Sequence, residues 1–317
     1  MVCVLVCILS ICIGSVRITP MEILNTIMGD RNTGGARIIM YVRMPRTIAC
    51  ICAGAGLAAA GAIIQSVLNN PLAGPNIIGV NAGAGFAAIV FCAFFPQLPQ
   101  LLPIGAFIGA LLSVLLVYNI ARKTGASKIT IVLAGVAVNS FLNAGTDTIF
   151  TFFPDALVGG NGFRIGGMSA LQPKVLYPAC GIIIFALLLS FVLRNELDVL
   201  SLGEEAAASL GMNVKLYRFL LLMCAALLAG ASVSFAGLLG FVGLIVPHTA
   251  RFFVGSEARF LLPMSALLGA IFLTSCDVLA RTIFSPFEIP VGIILSFLGG
   301  PFFIWLLLRK KGGHISD

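Results

Sequence analysis

Apolar runs of about 20 residues recur along the chain, separated by short polar breaks. No residue from Thr47 to Ala121 carries a charge. At 1.5 Å of rise per residue, a helical run of about 20 residues covers the roughly 30 Å of hydrocarbon in a bilayer. The pattern predicts ten membrane helices, over 1–16, 46–68, 76–95, 100–121, 129–152, 174–194, 216–238, 240–254, 260–281 and 289–309, the eighth being short. The breaks consist of helix-stopping residues: Asn69-Asn70-Pro71 and Gly74-Pro75-Asn76 after the second span, Pro96 to Gln100 after the third, Ala121 to Ser127 after the fourth. Non-helical backbone at membrane depth must be covered by protein or face a water-filled cavity. The fold class expected is therefore all-α, a polytopic membrane protein forming one transmembrane domain over 1–317. Spans two to five and seven to ten make two groups of four joined by the sixth. Equivalent helices lie five apart, an odd offset, so the groups form an inverted repeat of the kind transporters use.

Composition strengthens this reading. Of 317 residues, 59% are hydrophobic and 10% charged, against roughly a quarter charged in soluble domains. Too little polar sequence remains to coat a soluble core. The net charge of +7 does not point to nucleic acid, because Lys and Arg sit in short loops where they orient a membrane protein. With the N-terminus inside, the inner loops hold Arg122, Lys123, Lys128, Arg194, Lys215, Arg218, Arg251, Arg259, Arg309, Lys310 and Lys311. The outer ones hold Arg17, Arg31, Arg37, Arg43, Arg46, Arg164, Lys174 and Arg281. The outer face is thus unusually basic. Met1 to Val16 lacks a basic leading region and a small-residue cleavage site, so it reads as a short first span rather than a signal peptide. The nine cysteines lie in apolar segments at scattered spacings, which gives no disulfide or zinc framework. Cys50 and Cys52, two apart on a helix, point to nearly opposite faces and read as small buried hydrophobes.

Candidate chemistry within the spans is sparse. Gly54-Ala-Gly56 and Gly83-Ala-Gly85 imitate a dinucleotide fingerprint but lie inside apolar helices, where small residues allow close packing. No Walker A pattern occurs, so this chain does not bind ATP by a P-loop. The ionisable residues in spans are Asp147, His248, Asp277 and Arg281; the last two, four apart, should pair. His248, in Val246-Pro-His-Thr-Ala-Arg251, suits packing or hydrogen bonding at a helix break. No serine-histidine-acid or metal-ligand set can be assembled. One soluble-looking element, Leu197 to Gly211, reads as a helix over about 198–212 in an inner loop. Ser201 can cap it, Glu204 and Glu205 suit its positive end, and Gly211 can stop it. Its Leu and Ala face beside exposed acids also suits docking into a groove on a partner.

Together, several motifs resemble the FecCD-type permeases, membrane subunits of ABC importers for iron-siderophores, haem and cobalamin. They are Arg43-Met-Pro-Arg46, the small-residue helix ending in Gln65, Asn70-Pro-Leu-Ala73 with Pro75 and Gly79, and Leu133-Ala-Gly-Val136. They continue with Leu202-Gly-Glu-Glu205 to Leu210-Gly211, Gly240 to His248 with Arg251, and Ile289-Pro-Val-Gly292 to Pro301-Phe-Phe-Ile-Trp305. The resemblance covers nearly the whole chain. It implies a multi-pass subunit of a prokaryotic cytoplasmic (inner) membrane, paired with an identical or related permease subunit, with the path along their interface. It further implies separate ATPase subunits that carry ATP and Mg²⁺, no cofactor on this chain, and an extracytoplasmic substrate-binding protein. Leu202, Gly203, Glu204, Glu205, Leu210 and Gly211 would couple to the ATPase. Asn70, Pro71 and Leu72 would lie near an inner gate, and Arg43, Arg46 and Arg281 would meet acids on the binding protein. This chain departs from the family where many members carry a Trp and a Gly-Ser pair after the fifth span; here Phe163-Arg-Ile-Gly-Gly-Met168 stands. The cargo expected is an iron(III)-siderophore-type chelate, with haem or cobalamin as alternatives. A secondary, ion-coupled transporter is the reading from another class, and its supply of membrane carboxylates is thin. An intramembrane enzyme comes third, lacking a catalytic set.

Overall fold

A computed structural model of the chain describes residues 2–14, 34–123, 127–169 and 171–311. Arg17 and Arg31 lie outside them. Each expected span has a helix: α1 (Val2–Cys12), α2 (Met44–Leu68), α3 (Val80–Phe94), α4 (Leu102–Lys123) and α5 (Lys128–Phe152) precede a short α6 (Pro154–Ile165). Then come α7 (Pro173–Val192), two short helices α8 (Arg194–Ser201) and α9 (Glu204–Ser209), and α10 (Val214–Ala236), α11 (Val242–Val254), α12 (Ala258–Thr282) and α13 (Val291–Lys311). Among the described residues, six helices are long and apolar enough to cross a membrane, and four shorter apolar ones complete the expected ten.

Burial sorts these helices into layers. In α2 and α10, 78% and 72% of the apolar window is buried, against 28% in α5, so α2 and α10 form the centre. Both are rich in Ala and Gly, which lets neighbours approach closely. Around them the pairing is reciprocal: α2 packs on α12 while α10 packs on α4, and α3 packs on α4 while α11 packs on α12. That is the pattern of an inverted repeat with an offset of five spans. Gly54 meets Gly269 backbone to backbone where α2 crosses α12.

Several expectations are corrected. The third helix starts at Val80 rather than 76, because turns run from Pro75 to Gly79 with Gly79 at φ +92°, and the tenth at Val291 rather than 289, because Pro290 ends an irregular segment there. The helix expected over 198–212 is two helices. Ser201 does not cap the second; its hydroxyl donates to the Asp198 carbonyl at 2.7 Å, one turn back in α8. Gly203, at φ +117°, makes the break, and α9 starts on it without a side-chain cap. Helix α6 was not expected at all, being half glycine and polar. Its signals were nonetheless present: Pro154 and Asp155 at its start and Arg164 in its last turn.

Candidate functional site

Helices α3 and α11 have 15 and 13 residues, lengths of about 20 Å that fall short of the hydrocarbon core. Irregular turns complete each crossing, and the two turns meet. Asn69 ends α2 in the left-handed region, and the Asn70 side chain accepts from the Leu72 N–H at 2.9 Å, closing a small turn. Pro71 is exposed, while Asn70 and Leu72 are half-buried. The chain then folds back so that Pro75 lies against Gly243 at the start of α11, beside Leu57 midway along α2. Residues 237–241 supply the matching turn from the other end. The Asn76 carbonyl accepts from the Asn139 amide of α5 at 2.7 Å, so a side chain satisfies this group of the non-helical backbone, and Asn76 itself is exposed.

Three of the sequence motifs converge on this junction. Pro247 has no N–H, which frees the Gly243 carbonyl one turn earlier in α11. The Gln65 amide nitrogen lies 3.4 Å from that carbonyl and from that of Leu244. Arg251 donates to the Gln65 carbonyl oxygen in turn. His248 stands edge-on to Phe252 and Phe302, which fits the packing role expected of it.

A cavity of about 530 Å³ opens beside the junction. Both halves of the chain line it: Asn76, Asn81, Arg164 and Ile165 from the first, Leu238, Gly240, Gly292, Ser296 and Phe297 among those from the second. Its roof joins three segments far apart in sequence. The Leu238 N–H donates to the Phe163 carbonyl (2.9 Å), Gly167 N–H to Ala236 (2.9 Å), and Gly292 N–H to Gly166 (3.1 Å). Next to the cavity, α5 exposes Ser140, Asn143, Asp147 and Thr151 on one face. Polar groups on an exposed membrane helix are unfavourable against lipid, so this face belongs against water or protein.

The arginines expected to meet a binding protein are placed differently. Arg43, Arg46 and Arg281 are 3%, 6% and 3% exposed. A π-helical turn, Ile39–Arg43, leads into α2 and directs Arg43 to the Ile11 and Cys12 carbonyls of α1. Arg46 bonds Asp277 at 3.0 Å and Glu288 at 2.7 Å. Arg281 bonds the same Asp277 at 3.0 Å, as its i,i+4 spacing led us to expect, and the Ser10 hydroxyl at 2.9 Å. Side chains so enclosed tie α1, α2 and α12 together and do not present charge to a partner. This corrects the docking expectation at all three positions.

At the other end, α8 and α9 form the loop expected to couple. Asp198 accepts from the Ala258 N–H at 2.8 Å and so caps α12, while Leu197 and Leu200 are buried beneath. Burial pushes the Asp198 carboxyl up, helped by the Glu257 charge and opposed by the Ala258 N–H. Glu204 pairs with the buried Arg218 at 2.8 Å through one carboxylate oxygen, its side chain 38% exposed. Gly211, left-handed at φ +80°, follows α9 as expected. What remains outward is Leu202 and Leu210, each 67% exposed, with Glu205 between them. Sequence reasoning had treated Glu204 and Glu205 as equivalent; Arg218, in the following helix α10, was the missing signal.

The profile of the FecCD transport family matches residues 2–309. The Fe(3+)-citrate import system permease protein YfmE of Bacillus subtilis is 40% identical over 95% of this chain and 90% of its own. The vitamin B12 import system permease protein BtuC of Vibrio cholerae is 37% identical over 96% and 91%. A solved inward-facing structure of a metal-chelate type ABC transporter superposes with a TM-score of 0.85 over 97% of this chain and 96% of that one, at 26% identity.

Proposed function

The chain belongs to the FecCD transport family, and from that premise we propose that this ABC importer permease passes an iron(III)-siderophore-type chelate across the prokaryotic cytoplasmic membrane. The observation that carries the reading is the cavity lined by both halves of the repeat, with two irregular turns meeting beside it. Moving a large cargo requires a path that opens at one end at a time, and short helices with loose turns can shift where a continuous helix cannot. The Asn70-Pro71-Leu72 turn is then part of the inner closure, and the 163–167, 237–241 and 290–292 roof its outer counterpart. The exposed polar face of α5 suits the interface with a second permease subunit, identical or related. ATP and Mg²⁺ belong to separate ATPase subunits, and an extracytoplasmic binding protein delivers the cargo. Iron citrate is the cargo in YfmE's name and vitamin B12 in BtuC's, which makes cobalamin, or haem, the alternative cargo.

Vesicles holding the permease, its ATPase and its binding protein provide the test. Uptake of radiolabelled ferric chelate should require ATP inside and should stop without the ATPase subunits. Uptake of cyanocobalamin but no ferric chelate would transfer the reading to the alternative cargo. Uptake driven by a proton or sodium gradient alone would make the chain a secondary carrier.

Coupling gives a narrower prediction. The apolar pair Leu202 and Leu210 flanks Glu205, the arrangement of an anchor with a charged rim. Glu205→Lys combined with Leu210→Ser should lower ATP-driven uptake at least about tenfold by weakening ATPase association. The permease itself should keep its melting temperature, since neither side chain is buried. Glu204→Lys should instead lower that temperature, because it places a second cation beside buried Arg218. Unchanged ATPase binding by the double variant would remove the docking assignment.

A further inference from the structure

Arg164 is charged, exposed and placed on the lining of the cavity. Its guanidinium lies over the Phe150 ring of α5, 5.1 Å from the centroid. That contact fixes the side chain while leaving its hydrogen-bond donors unused, because a ring face offers no acceptor in the plane of the guanidinium. Arg164 makes no ion pair among the described residues, and neither does Asp147, one turn from Phe150 on α5. Elsewhere the lining is amide, hydroxyl and apolar, with Asn76, Asn81 and Ser296 as its polar side chains. The Asn81 carbonyl oxygen is buried and has no hydrogen-bond partner among the described residues. The lining therefore carries one positive charge with free planar donors and no carboxylate of its own, Asp147 standing one turn from Phe150 on the neighbouring α5.

We propose that Arg164 makes the cavity selective for anionic, carboxylate-bearing metal chelates over neutral or cationic ones. The proposal rests on the reading that this cavity faces the cargo path. A guanidinium presents paired N–H donors that match a carboxylate's two oxygens, and a partly enclosed cleft concentrates its field. The amide groups of Asn76 and Asn81 then serve the hydroxyl or amide groups of the same chelate. Holding Arg164 on an aromatic ring rather than on an acid keeps the charge available while the path is empty.

The test is a measurement of charge preference at the cavity itself. Ser296→Cys places a thiol on the lining of the intact importer in vesicles, and the Ser296 parent gives the background from native cysteines. With each rate divided by that reagent's rate with free mercaptoethanol, an anionic sulfonatoethyl methanethiosulfonate should modify the Ser296→Cys thiol faster than the cationic trimethylammonium analogue, by on the order of tenfold. Arg164→Gln should bring the two rates close to parity, and Arg164→Lys should keep most of the preference. Ferric citrate should protect the thiol of the Ser296→Cys variant, and that protection should be lost once Arg164→Gln is added, whereas a charge-neutral ferric trihydroxamate should protect neither. Equal rates with Arg164 in place, or a preference unchanged by Arg164→Gln, would overturn the proposal. So would failure of ferric citrate to protect. If the reagents show the preference but vesicles import no ferric chelate, the transport reading fails and the selectivity of the cavity stands.

Discussion

Asp277→Asn is expected to destabilise the protein more than any other single charge removal. Asp277 is fully buried, and its carboxylate accepts from Arg46 and Arg281 at about 3 Å each. The substitution keeps the shape and removes the charge that balances two buried guanidinium groups. Breaking a buried pair from one side costs about 3–5 kcal/mol, because the remaining charge stays desolvated. Arg46 retains Glu288, but Arg281 keeps just the neutral Ser10 beside it among the partners described above. A marked fall in melting temperature in detergent, with loss of monodisperse protein, is the outcome to look for. Glu288→Gln is the comparison: its side chain is 31% exposed, and loss of a partly solvated pair costs about 1 kcal/mol or less. If Asp277→Asn melts with the parent, the three helices are not joined through this carboxylate.

The contrast between these two acids also shows what the sequence could and could not reveal. Span positions were legible because an apolar run of sufficient length has one fate in a bilayer, and the i,i+4 spacing of Asp277 and Arg281 predicted their contact. The other half of the cluster was not legible. Arg46 reaches Asp277 across 231 residues, and nothing local distinguishes an arginine that points into a bundle from one that faces outward. The excess of basic residues on the expected outer face suggested a docking surface, whereas burial now assigns three of them to internal pairing. A similar limit affected the loop of α8 and α9. Ser201 has the chemistry of a cap, yet α8 runs through to Ser201 and the chain breaks at Gly203, whose φ of +117° favours glycine. The cavity was hidden for a third reason: its lining comes from turns and helix ends spread from Asn76 to Phe297, and each piece reads alone as an ordinary break.

Gly61→Ala should have the second-largest effect, by steric rather than electrostatic means. A Cβ at residue 61 would fall far inside contact distance of the Gly243 carbonyl oxygen, with that residue's carbonyl carbon and Cα close behind. All three are backbone atoms, so no side chain can rotate away. Helices α2 and α11 would have to separate, and overpacking of this kind costs about 1–3 kcal/mol or more. The displaced atoms are also those against which Pro75 packs and towards which Gln65 points. Separation there would disturb the junction of the two turns, so uptake should fall further than the loss of folded protein explains. Gly181→Ala supplies the control on α7, where an added Cβ meets no atom within 4 Å. There alanine should be neutral or stabilising by up to about 1 kcal/mol, from its better helix propensity. Melting temperature and ATP-driven uptake measured on both variants separate the two cases. A Gly61→Ala protein that melts and transports like Gly181→Ala would mean that α2 and α11 do not touch backbone to backbone.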